Sequence, residues 1–187
     1  ICDEFDLLLL EKKVLERIAS RLGSHPLISR DEADSIRDKG VPLGDIQKAI
    51  QEEKALPLYL NGNDLIGCCQ RGHEEDFNLI PEILIENLSN RASGVMALRH
   101  MTSRFADADA LEYLIGCGEE AVGDRYNRGG GNMAKAIGEL SGCANATGSD
   151  TKAFCCAPVH AMVIGAGLVS SGIFKNVAVV AGGSFAK

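Results

Sequence analysis

The chain has 187 residues, a formal net charge of −7 from 19 basic and 26 acidic side chains, 5% aromatic residues and no tryptophan. That length can bury a core and allows one or two domains, and usage dominated by Leu, Ile, Ala and Val fits a cytosolic α/β protein better than a sandwich or a disordered chain. Basic residues scattered without an aromatic stripe argue against nucleic acid, and no basic amphipathic segment suggests a membrane surface.

The longest apolar runs, residues 7–10 and 177–181, are far too short to span a bilayer, and no signal-peptide pattern precedes them. Seven cysteines, four of them in the adjacent pairs Cys68-Cys69 and Cys155-Cys156, are not spaced as a secreted disulfide framework. A reducing cytoplasm is expected. Without Cys-x-x-Cys or neighbouring Cys-His spacing, a zinc site is not expected. The start at Ile1 without methionine and the stop just after a strand suggest a piece of something longer.

Leu7, Leu10, Val14, Ile18 and Leu22 recur at helical spacing, and Gly23 is placed to end that helix. Ser29 and Glu32 have capping-box spacing, introducing a second helix that ends near Gly40, and residues 45–54 give a third. Residues 58–60 and 65–66, around Asn61-Gly62, read as a small hairpin. A composition shift then separates residues 1–72, an accessory helical module, from residues 73–187.

From Glu74 onward the pattern alternates. A long helix is expected over residues 77–104, a strand over 111–117, a glycine-rich loop, a helix over 133–140, a weak strand at 143–146 and a strong one at 177–181. Strands separated by helices indicate a parallel sheet. Between the last two strands, residues 150–176 read as turn, cysteine and helix. A cysteine at the first turn of a helix sits where unpaired amides and the helix dipole stabilise a thiolate, and the same amides can receive an oxyanion. Ala157, Ala161, Gly165, Ala166 and Gly167 allow close backbone approach, so this helix is expected to be enclosed on most sides.

Residues 107–183 resemble the first half of the thiolase superfamily core. Ketoacyl synthases have an Asp five residues before their cysteine and a Ser-Gly pair beyond it, and Asp150, Cys155 and Ser171-Gly172 keep that spacing while Cys156 does not. Glu119-Glu120 through Arg128-Gly-Gly-Gly-Asn132, then residues 146–150, Cys155 and residues 179–183, together with segments 71–76 and 86–94, most resemble the component C beta subunits of the glycine/sarcosine/betaine reductase complex. The resemblance implies a layered α/β fold, one αβα half of a five-layer αβαβα architecture that is incomplete without its second half. It implies an acyl group held on Cys155 as a thioester and passed to phosphate as acetyl phosphate. It also implies a selenoprotein partner, a second component C subunit and a homodimer, with phosphate as co-substrate and no tightly bound cofactor.

For Cys155 the alternative to a nucleophile is a buried structural thiol, and Cys156 is its rival as the reactive residue. Glu119 and Glu120 follow a strand at the end where parallel sheets place ligands. A carboxyl there could act as general acid or base; the alternative is a pair of exposed loop carboxylates. Arg125, Arg128 and Asn132 belong to a loop that, in related superfamily members, reaches a dimer interface or neighbouring pocket; phosphate binding by Arg125 or Arg128 is the lesser alternative. His160 is expected to be a buried, hydrogen-bonded residue rather than a base, with His25, His73 and His100 structural or exposed. The rival functions are a condensing enzyme using coenzyme A or carrier-protein thioesters, and a non-catalytic thiolase-like scaffold.

Overall fold

The computed structural model describes residues 3, 6–76, 79–105, 107–118 and 132–183. They form two compact units, Ile1–Ile85 and Glu86–Lys187, with the division falling inside a helix.

The first unit is mixed α/β. In order it contains β1 (Leu8–Leu10), α1 (Lys12–Leu22), α2 (Arg30–Asp34), a 3-10 turn (Arg37–Lys39), α3 (Leu43–Glu52), β2 (Leu56–Leu60) and β3 (Asp64–Cys69). The strands make an antiparallel sheet in the order β1-β3-β2. Leu8 to Leu10, expected to open a helix, pair instead with Cys69, Cys68 and Gly67. Three leucines suit a helix or a strand, and an available partner edge outweighs so short a periodic signal. The helix begins once Glu11 caps it, its carboxylate accepting from the Val14 amide at 3.0 Å.

The capping box is present in full: Glu32 N–H donates to Ser29 Oγ at 3.1 Å, and Ser29 N–H to Glu32 Oε2 at 2.9 Å. It supports a helix that stops at Asp34 rather than near Gly40. Ile46, Ala49, Ala55 and Cys68 pack α3 onto the sheet. At the hairpin Asn61 and Gly62 take φ of 52° and 84°, the left-handed conformation that turn requires.

The second unit places the candidate chemistry. A helix, α4 (Pro81–Thr102), runs into it and is followed by β4 (Tyr113–Gly118), α5 (Met133–Leu140), β5 (Thr147–Lys152), α6 (Ala157–Ser170) and β6 (Val177–Ala181). The strands are parallel in the order β5-β4-β6. Leu114, Ile115, Gly116 and Cys117 of the central strand are all buried, as expected where helices cover both faces. Ile115 and Cys117 meet Ala157 and Ala161 of α6. On the opposite face Leu114 and Gly116 lie against Gly138 and Ala134 of α5.

Two expectations about this unit change. The segment 143–146 is a turn, and the strand beside β4 is the polar sequence Thr147–Lys152. Among the described residues β5 is an edge strand, paired on one side only and only partly buried, so it carries no apolar run to announce it. Second, α6 is not enclosed. Ala157, Ala161 and Gly165 are buried against the sheet, but Val159, Met162 and Val163 are 58%, 56% and 67% exposed. Small apolar residues allow a helix to be covered on every side; whether a second layer is there depends on what else packs against it. Among the described residues, no helix is long and apolar enough to cross a membrane.

Candidate functional site

Parallel β-strands place ligands at their carboxyl ends. Two described segments meet that edge here: the entrance to α5 and the turn from β5 into α6. Each depends on a local interaction that the sequence encodes.

After Lys152, the last residue of β5, Ala153 takes φ −160° and ψ 44° and Phe154 turns to φ 47°. Residues Phe154–Cys156 form a single 3-10 turn that leads straight into α6. Positive φ at a bulky non-glycine residue is uncommon, and such strain clusters at functional sites. Pro158 fits the first helical turn, where an amide hydrogen would lack an intrahelical acceptor. Cys155 and Cys156 are both exposed, whereas Cys68, Cys69, Cys117 and Cys143 are buried; none of these six is in a disulfide. Cys155 stands one residue before the helix cap rather than within the first helical turn. His160, expected to be buried, is exposed on the uncovered side of α6.

The buried thiols are electrostatically suppressed. Burial, reinforced by the charges of Asp3, Cys68 and Glu82, pushes the Cys69 thiol up to about 12. Burial also raises Cys117, against a smaller opposing pull from the Lys152 ammonium.

At the entrance to α5, Asn132 is the helix cap. Its Oδ1 accepts from Lys135 N–H at 2.8 Å, and its Nδ2 donates to the Gly148 carbonyl at 2.6 Å. The Asp150 carboxylate accepts from Met133 N–H at 2.7 Å and Ala134 N–H at 3.0 Å. Gly116 leaves the space this carboxylate needs, since a Cβ there would overlap Asp150 Oδ1. Asp150, five residues before Cys155, therefore ties β5 to the start of α5. Glu119, Glu120, Arg125 and Arg128 lie outside the described residues.

Sequence reasoning passed over three residues at the same edge, Asn90, Ser93 and Lys152. Asn90 of α4 packs so closely on Gly182 that any side chain there would collide with its carbonyl. Ser93, one helical turn on, accepts from Gly183 N–H at 2.9 Å. Lys152 Nζ and Asn90 Nδ2 both approach Gly118, at 3.1 Å and 3.7 Å from where a Cβ would lie. The signal for Lys152 was a lone cation between two residues already singled out, Asp150 and Cys155.

Two concavities among the described residues lie away from Cys155. One groove follows the free edge of β6, lined by Leu98, Met101 and the strand itself. Another, in the first unit, is lined by Glu52, Glu53, Arg71 and Glu74. Cys155 sits on a projecting turn, and no group of three His, Cys, Asp or Glu among the described residues could hold a metal ion.

No family model matches the chain. It is similar, at 45% identity over 186 residues and 99% of its own length, to the glycine/sarcosine/betaine reductase complex component C subunit beta of Peptoclostridium acidaminophilum, and it spans 36% of the length of that relative.

Proposed function

We propose that this chain contributes an acyl-accepting cysteine, Cys155, to component C of a glycine reductase-type complex. The observation that carries the reading is the placement of Cys155: an exposed thiol on a strained turn at the carboxyl edge of a parallel sheet, directly ahead of a helix. Similarity to a component C beta subunit over nearly the whole chain supports it.

In this mechanism the Cys155 thiolate adds to an acetyl carbonyl and the leaving group departs, giving a thioester. A phosphate oxygen then attacks the same carbonyl, the carbon–sulfur bond breaks, and acetyl phosphate leaves as the thiolate is restored. The nearby helix N-terminus favours negative charge on the tetrahedral oxygen. Glu120, with Glu119 beside it, is the candidate acid or base, and Arg125, Arg128 and Asn132 form the candidate pocket or dimer loop. The selenoprotein and the second component C subunit are the proposed partners in a cytoplasmic complex built on a homodimer. The uncovered apolar face of α6 supports a further layer, as in a thiolase-like arrangement.

Peptide mass spectrometry of the complete enzyme after exposure to acetyl phosphate tests the reading. A labile acetyl adduct on the Cys155 peptide, absent in Cys155→Ser, is expected. An adduct on Cys156, or one that survives the substitution, would overturn it.

A further inference from the structure

We propose that Cys155 and Cys156 form a reversible redox switch, closing a disulfide between adjacent residues on the turn into α6. The chain carries the Cys-Cys dipeptide twice, and the two copies stand in opposite environments.

Cys68 and Cys69 lie on β3, in register with Pro57 and Leu56 of β2 and with Leu9 and Leu8 of β1. Successive side chains of a strand point to opposite faces, so these two sulfurs are directed apart. Both residues are fully buried, and twisting the peptide unit between them would disrupt the ladders on either side. This pair is shielded from oxidant and held open by its strand.

Cys155 and Cys156 differ on each count. Both are exposed. They belong to residues 153–156, which lie between the end of β5 and the start of α6, outside either element. In their 3-10 turn successive side chains diverge by about 120° rather than the roughly 180° of a strand. Closing the ring requires rotation of the single peptide unit between them. That unit's N–H makes one backbone hydrogen bond in the turn, from Cys156 to the Ala153 carbonyl at 3.0 Å. Phe154, just before the pair, is largely exposed, so the turn can readjust with little loss of packing, and Ala157 after it is the first fully buried anchor.

The spacing that permits the ring also makes it easy to reopen. Adjacent Cα atoms lie about 3.8 Å apart across a trans peptide, below the roughly 4.4–6.8 Å of ordinary disulfides. A strained, exposed disulfide is readily reduced, as a switch requires and a structural bridge avoids. Rival partners among the described residues are out of reach: Cys117 is packed beneath Ala157 and Ala161, and Cys143 is fully buried.

A low-molecular-weight disulfide such as glutathione disulfide supplies the oxidation. The thiolate of one cysteine attacks it, forming a mixed disulfide and releasing one glutathione thiolate; the neighbouring thiolate then attacks the protein sulfur of that mixed disulfide and releases the second. The protein dithiol gives up two electrons and two protons, and the oxidant leaves as two thiols. In the closed form no thiol remains on the turn to accept an acyl group. That consequence rests on the acyl-transfer reading; closure of the ring does not.

The test is to incubate the complete enzyme with glutathione disulfide, quench it in acid, alkylate it and map its peptides by mass spectrometry. The expected product is a Cys155-Cys156 peptide lighter by two hydrogens, carrying neither alkyl group nor glutathione, and returned to the dithiol by dithiothreitol. Cys156→Ser should instead retain glutathione on Cys155, because the thiol that resolves the mixed disulfide is gone. Glutathione that persists on the wild-type pair, a bridge from either residue to another cysteine, or no oxidation of either would overturn the proposal. Ring closure in an enzyme whose reduced form takes no acetyl group from acetyl phosphate would leave the switch standing and remove the acyl-transfer reading.

Discussion

Gly116 and Asp150 occupy opposite positions on neighbouring parallel strands, and the missing side chain of one is the space in which the carboxylate of the other reaches two helix amides. The pair fixes where the chain enters α5, and through β5 it fixes the start of the Cys155 turn. Asp150→Ala should cost about 1–3 kcal/mol, because two N–H groups at the helix start lose their acceptor. Gly116→Ala should cost about as much through overpacking. Urea unfolding of both single variants and the double variant checks this; a cost in the double variant well below the sum is expected, since both changes disrupt one contact.

Phe154 is largely exposed yet holds φ at 47°, so little packing opposes its replacement. Phe154→Gly should leave stability unchanged or raise it by up to about 1 kcal/mol, whereas the β-branched Phe154→Val should lower it by about 1–2 kcal/mol. Melting temperatures of the two variants read the difference. Equal values would show that the turn is not strained.

The thiols should separate into two reactivity classes. In the native protein at mildly alkaline pH, iodoacetamide should label Cys155 and Cys156 at least about tenfold faster than Cys68, Cys69, Cys117 or Cys143, because burial shields the latter four from reagent and raises their thiol pKa values. Cys69, pushed to about 12, should be the slowest. Time-resolved peptide mapping gives the rates, and denaturant should abolish the distinction.

Glu112 links the strands through the turn ahead of β6: its carboxylate accepts from Lys175 N–H at 2.6 Å and Asn176 N–H at 3.0 Å. The Asn176 amide first, then that of Lys175, holds its carboxyl below the usual range. A carboxyl lowered in the folded state stabilises above its unfolded value of about 4.3, and that contribution disappears as pH falls through the lower folded value. Glu112→Gln should therefore flatten the fall in stability between about pH 5 and pH 3. Parallel denaturation series across that interval measure the change in slope.

Much of this architecture is legible in local chemistry. The helix over 133–140 and the strand over 177–181 appear with the expected bounds, because each pairs a clear period with a flanking signal. The capping box at Ser29 and Glu32 is equally local and forms as read. Strands β1 and β5 were not legible. Three leucines at residues 8–10 are compatible with a helix until β3 offers them an edge, and Thr147–Lys152 is a strand only because β4 pairs with it.

The sequence by itself determined the βα alternation and the parallel sheet, and it placed a cysteine at the junction of a strand and a helix. These follow from periodicity and composition within short windows. Only the tertiary structure decided that Asp150 caps α5, that Asn90 and Lys152 both approach Gly118, and that one face of α6 stays open. Those relations join residues 16 or more positions apart or concern which surface finds a partner, and a local pattern carries no information on either.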